Sequence, residues 1–209
     1  MRVAVVDSGI HAGHPHVGSV EGGIHFRADG TTDDDWMDRL GHGTAVAAAI
    51  REKAPEVELL AVRVFDHSLA TNAAILAQAI RWSAEQGARF INLSLGTPSP
   101  TRAELLGEAV LEATRLGATV VSALRHDDVD WYPGSLDGVV GVVLDWDCPR
   151  EEIRRLLTGD GRQVYAASGY PRPIPGVSPD RNLKGISFAV ANVTGVLASR
   201  ERGAGSRAP

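Results

Sequence analysis

Five short apolar runs constrain this chain more than any other feature: Val3 to Val6, Glu58 to Val64, Phe90 to Leu95, Thr119 to Ala123 and Val139 to Leu144. Each has the length and composition of a strand buried on both faces. Between them lie segments with helical spacing. Thr44 to Arg51 is rich in Ala and Val, Ala73 to Gln86 carries apolar residues one turn apart, and Thr101-Arg102-Ala103-Glu104 reads as a capping box opening a helix to about Leu116, closed by Gly117. Alternation of this kind implies right-handed βαβ units and an α/β fold, a three-layer, doubly wound, mostly parallel sheet with helices on both faces. Ligands of such sheets sit beyond the carboxyl ends of the strands, which directs attention to Asp7, Ser94 to Gly96 and Ala123 to His126.

The 209 residues suit one domain, expected over 1–200, with 201–209 a disordered tail of small and polar residues from Gly203 onward. Four prolines between Tyr170 and Asp180 mark an irregular loop inside that domain. A formal charge of -5 and few aromatics exclude the electrostatic footprint of a nucleic-acid binder. No apolar run approaches the roughly 20 residues that span a bilayer, so no membrane partner is expected. The opening residues read as a strand rather than an export signal, and one cysteine, Cys148, precludes an internal disulfide. A cytoplasmic address is the expectation. Nothing in the sequence sets an oligomeric state.

Three polar residues stand at element ends in glycine-flanked settings. Asp7 follows the first strand and precedes Ser8-Gly9, His42 sits within Gly41-His42-Gly43-Thr44, and Ser187 sits within Gly185-Ile186-Ser187-Phe188-Ala189 before an apolar helix reaching Ala198. Each alone reads more readily as a turn, surface or helix-cap residue than as a catalytic one. Together they supply an acid, a base and a hydroxyl in the order Asp, His, Ser.

With Ile91-Asn92-Leu93-Ser94-Leu95-Gly96, these blocks resemble those of the subtilisin-like serine peptidases, over residues 3 to about 200. The resemblance implies that Ser187 attacks a peptide carbonyl, that His42 accepts and returns its proton, and that Asp7 orients the imidazole. It implies that Ser94-Leu95-Gly96 pairs with an extended peptide substrate, with Ala123-Leu124-Arg125 as the opposite wall. His126 falls where the family supplies an oxyanion-binding Asn, and Arg125 falls where a small residue is usual, implying an acidic residue before the cleaved bond. Ile186, Ala191 and Asn192 also depart from the family's usual Thr, Pro and His.

No cofactor or metal is expected. His11, His14 and His16 lack the cysteine or spaced carboxylates that would complete a metal site, and Asp33-Asp34-Asp35 lacks the ligand spacing of a calcium loop, leaving structural calcium open. The acceptor-like triplets at Asn92 and Asn192 fall inside core elements and read as coincidental, and Cys148 has no neighbouring base. The same constellation serves a precursor-processing peptidase, a weak or inactive peptide-binding module, or an acyl transferase that passes the Ser187 acyl group to an amine.

Overall fold

The computed structural model describes residues 1–66 and 68–205, except for the side chains of His126, Ala204 and Gly205. In chain order the elements are β1 Arg2–Asp7, β2 Gly22–Phe26, β3 Thr32–Asp33, α1 His42–Lys53, β4 Glu58–Arg63, α2 Ala73–Glu85, β5 Ala88–Leu93, α3 Ala103–Arg115, β6 Thr119–Ala123, β7 Arg125–His126, β8 Val129–Asp130, β9 Val140–Leu144, β10 Arg154–Leu157, β11 Gln163–Ala167 and α4 Ile186–Gly205. Nine strands form one sheet in the order β10-β11-β9-β6-β5-β1-β4-β2-β3. The interior pairings are parallel, and only the edge pairs β10 with β11 and β2 with β3 run antiparallel.

Alternation along the central strands divides the core into two layers. Val3 and Val5 of β1, with Leu59 and Ala61 of β4, face α1 and α4 and share a layer with Ile50, Val190 and Val193. Ala4 and Val6, with Leu60 and Val62, face α2 and α3 and share a layer with Ile80, Ala109 and Val110. A strand buried on both sides is apolar at nearly every position, which is why these runs were legible. Among the described residues, no helix is long and apolar enough to cross a membrane.

Strand order reverses beside β1, because the chain leaves β4 on one flank of β1 and enters β5 on the other. The carboxyl ends of β1 and β5 therefore open at a topological switch point. Asp7 is the last residue of β1, and Ser94 directly follows β5.

Several local expectations need correction. β5 ends at Leu93, not Leu95, which leaves Ser94 to Gly96 free of the ladder that ends there. The capping box at Thr101 does not form. A 3-10 turn over Pro100–Arg102 precedes α3, and no side chain caps that helix, because Thr101 is spent on Ser99 Oγ at 2.9 Å. The helix end does follow expectation: Gly117 has φ +85°, and the Ala118 and Gly117 amides return to the carbonyls of Ala113 and Thr114, both at 2.9 Å. The expected disordered tail is helical through Gly205, held by Arg89 pairing with Glu201 at 2.5 Å and by Arg202 donating to the Glu56 carbonyl at 3.3 Å. Residues 206–209 lie outside the described residues.

Candidate active site

α1 begins at His42, with Gly41 before it in the left-handed region at φ +82°. Its first turn presses against the end of β1. A Cβ on Gly43 would lie 2.2 Å from the Gly9 carbonyl oxygen and 3.1 Å from the Asp7 Cβ, so only glycine permits this approach. The result is a hydrogen bond of 2.8 Å between His42 Nδ1 and Asp7 Oδ1. Asp7 is fully buried, and the same oxygen accepts from the Ser8 amide at 2.7 Å.

Beneath the imidazole lies a carboxylate that sequence reasoning did not select. Asp38 is buried and accepts from the Ser8 hydroxyl at 2.9 Å, the Leu40 and Gly41 amides at 2.9 and 2.8 Å, and the Thr44 amide and hydroxyl at 2.9 and 2.6 Å. The Ser8 hydroxyl in turn accepts from the Gly43 amide at 2.9 Å. Gly41 offers no capping side chain, so Asp38 and Ser8 satisfy the amides at the start of α1 from outside the helix. A carboxylate placed just before a glycine-capped helix start is the signal that was available.

Burial works against an ionised Asp38, yet its hydrogen bonds from Thr44, Leu40 and Gly41 outweigh burial and lower its pKa. Burial likewise disfavours the His42 imidazolium, but the hydrogen bond and charge of Asp7, with the charge of Asp38 added, prevail and raise its pKa above the ordinary imidazole value. Replacing Asp38 with alanine orphans up to five donors around one buried point, and a loss of about 3 kcal/mol in unfolding free energy is expected. Urea denaturation of the variant measures it; a change within ~0.5 kcal/mol would show that water replaces the carboxylate at no cost.

Ser187 occupies the first turn of α4, half-buried, near the positive end of a helix of 20 residues. Its hydroxyl donates to the Ser94 carbonyl at 3.2 Å, and the Ser94 hydroxyl donates to the Ser187 carbonyl, also at 3.2 Å. Asn92 secures this junction from below: it is fully buried, donates to Ser94 Oγ at 2.8 Å and accepts from Thr194 Oγ1 at 3.0 Å. The triplet that resembled a glycosylation acceptor is thus a clamp between β5 and α4. Asn192 is buried too, donating to the Ser168 and Tyr170 carbonyls at 2.8 and 3.1 Å.

Phe188 sets the lateral position of the base, with its ring centroid 5.6 Å from that of His42. His42 and Ser187 open into one cleft of about 250 Å³, together with Ser94, Leu95, Gly96 and Thr97. Among the described residues no hydrogen bond joins His42 to Ser187; the serine hydroxyl is turned toward Ser94. Asp7, His42, Ser187 and Ser94 to Gly96 are therefore brought together as the sequence suggested.

The opposite wall differs. Ala123, Leu124 and Arg125 do not line this cleft; Trp131 does. The chain turns back immediately after β6 in the hairpin β7–β8, whose turn residues Asp127 and Asp128 both have positive φ, 48° and 59°. Trp131 then donates its amide to the Leu124 carbonyl at 2.9 Å, and Tyr132 donates its amide to the Thr97 carbonyl at 2.8 Å and accepts from the Thr97 amide at 2.9 Å. This segment closes the gap between the two expected walls. Arg125 is held by Asp130, with its Nε and an outer guanidinium nitrogen both 2.9 Å from one carboxylate oxygen, and it lines a separate surface cavity. The expected acidic preference before the cleaved bond loses its basis. His126 lies on β7 with its backbone paired to Val129, not in a loop, and its side chain lies outside the described residues. Cys148 is buried, and burial pushes its thiol pKa up.

A three-layer α/β domain in which an acid, an imidazole and a hydroxyl converge at the sheet's switch point defines a hydrolase-type architecture. The model of the subtilase family matches residues 1–130. Thermitase of Thermoactinomyces vulgaris is 30% identical over 97% of this chain and 76% of its own length, and subtilisin Savinase of Lederbergia lenta is 30% identical over 98% and 74%. The M-protease of Shouchella clausii is 32% identical over 95% of this chain, which spans only 53% of that relative. Among solved structures, the prenylagaramide maturation protease PagA superimposes with a TM-score of 0.70 at 27% identity, covering 97% of this chain and 77% of PagA. A lanthipeptide protease superimposes at 0.73 with 21% identity, covering 100% and 75%. The chain belongs to the subtilase family.

Proposed function

We propose that the protein is a serine peptidase that cleaves a precursor peptide through an acyl-enzyme on Ser187. The observation that carries this reading is the 2.8 Å bond from buried Asp7 to His42 at the mouth of a cleft that also holds Ser187. Ser187 Oγ bonds to the scissile carbonyl carbon as its proton passes to His42 Nε2; collapse breaks the C–N bond while His42 returns that proton to the leaving amine. Water then repeats the cycle on the ester. Asp7 holds the neutral imidazole in the tautomer with its proton on Nδ1 and stabilises the charged form. The Ser187 end of α4 supports the developing oxyanion, with His126 as the proposed side-chain donor.

Ser94 to Gly96, beyond the end of the β5 ladder, supply an extended edge for the acyl side of the peptide. Trp131 in the same cleft leaves little room beside that edge, which favours a small residue before the cleaved bond. The likeness to PagA, a maturation protease, supports a dedicated precursor as substrate.

Treatment with a fluorophosphonate, read by intact mass, tests the assignment. One adduct is expected on the wild type and none on Ser187→Ala. No adduct on either folded protein would move the reading to a peptide-binding member of the family, with His126→Asn the next variant to label.

A further inference from the structure

A second cavity, of about 680 Å³, begins where the first cleft ends. Gly41 and Thr44, on either side of His42 and Gly43, line it, as does Leu183, four residues ahead of Ser187. None of Ser94 to Gly96 or Trp131 contributes. A peptide laid along Ser94 to Gly96 with its scissile bond at Ser187 must continue past His42, and this cavity is what it enters. The volume holds more than one residue.

Three segments build the walls, and they are tied to one another. The His11 amide donates to Thr44 Oγ1 at 3.0 Å, Arg172 donates to the His16 carbonyl at 3.1 Å, and Asn182 donates to the Arg172 carbonyl at 3.4 Å. Ala45, Ala48 and Ile174 add apolar surface to the lining.

The charge of the lining is unusual for a chain of net charge -5. His11, His14, His16, Arg39, Arg172 and Arg181 all face the cavity, against a single carboxylate, Asp38. That carboxylate is buried and fully engaged by the five donors described above. Arg39 is paired with Asp35 at 2.8 Å, but among the described residues neither Arg172 nor Arg181 has a carboxylate within ion-pair distance. Burial and the positive neighbours Arg172 and His14 depress the His16 pKa, outweighing the opposing charge of Glu52. Guanidinium groups without a carboxylate partner, set among apolar lining, are an environment in which a carboxylate gains.

We infer that this cavity receives the leaving side of the substrate and selects a peptide with an aspartate or glutamate shortly after the cleaved bond, held by Arg172 and Arg181. This inference rests on the peptidase reading for the direction of the peptide. The cavity's preference for an acidic side chain can nevertheless be read without catalysis.

The test uses pairs of C-terminally amidated peptides identical except for Glu or Gln at the first to third positions after the cleaved bond. Binding to the full-length Ser187→Ala protein is followed by fluorescence anisotropy. The Glu peptide is expected to bind about ten-fold more tightly for at least one of these positions, the size of one charge-assisted hydrogen bond. The ratio should fall to about two in Arg181→Gln made in the same background, and Arg181→Glu should favour Lys at that position. Arg181 is exposed and bonds to the Ser178 carbonyl through its backbone amide at 2.9 Å, so these variants keep the loop. Equal binding of Glu and Gln peptides at all three positions, or a ratio unchanged in both Arg181 variants, would overturn the inference. A retained ratio together with no fluorophosphonate adduct on the wild type would overturn the peptidase reading alone.

Discussion

Replacing Ser187 with alanine is expected to lower kcat for peptide hydrolysis by roughly 10⁶-fold while leaving the melting temperature nearly unchanged. The separation of the two effects follows from the contacts. The Ser187 hydroxyl makes one hydrogen bond, of 3.2 Å, to the Ser94 carbonyl. The return bond from Ser94 uses the main-chain carbonyl of residue 187 and survives the substitution. Asn92 and Thr194, which hold β5 against α4, are untouched. Alanine is also at least as good as serine within a helix. What disappears is the atom that forms the acyl bond, so loss of activity without loss of stability is the signature. Steady-state kinetics on an internally quenched peptide, beside a thermal melt, measures both. Activity retained within ten-fold of wild type would remove Ser187 from the role of nucleophile.

Asp7→Asn carries the second large effect, a fall of about 10⁴-fold in kcat near neutral pH. Its carboxylate is buried and accepts from His42 Nδ1, which leaves Nε2 free to take a proton. An asparagine presenting its amide N–H at the same place would hold the other tautomer, with the proton on the nitrogen that must act as base. The pH profile supplies an independent reading. Wild-type kcat/KM should rise with pH as the neutral imidazole forms. Because Asp7 and Asp38 together outweigh burial and raise the His42 pKa, the midpoint of that rise should lie above the ordinary imidazole value of 6.5. Without the Asp7 charge, burial prevails and the midpoint of residual activity should move down. A midpoint that stays put in the variant would detach the observed limb from His42.

The two effects bear on how far local sequence reaches. Asp7, His42 and Ser187 were each legible because each stands at the end of an element whose apolar pattern is strong, with glycines where the backbone turns. Thr119–Ala123 was read with the bounds it has, since its β-branched run starts just after Gly117, which ends the preceding helix, and its last four residues are buried. The strands of the main sheet that escaped notice lie at or next to its two edges. Every residue of Arg154–Leu157 is exposed, and Gly22–Phe26 opens with two glycines, so neither carries the apolar run of a central strand. Asp38 was overlooked for another reason: its partners Ser8 and Thr44 lie 30 residues before it and six after it.

By itself the sequence determined a parallel α/β sheet and the three element ends on which an acid, a base and a hydroxyl stand, because burial on two faces and glycine at sharp turns are local demands. Tertiary structure alone decided that Trp131 and not Arg125 flanks the cleft, that Asp38 anchors the start of α1, and that Arg172 and Arg181 line one cavity with Gly41 and Thr44. Those arrangements join residues up to 156 positions apart, as Arg172 and His16 are. Such contacts form only once the sheet has closed and packing has chosen which loops meet, and no local preference along the chain encodes that choice.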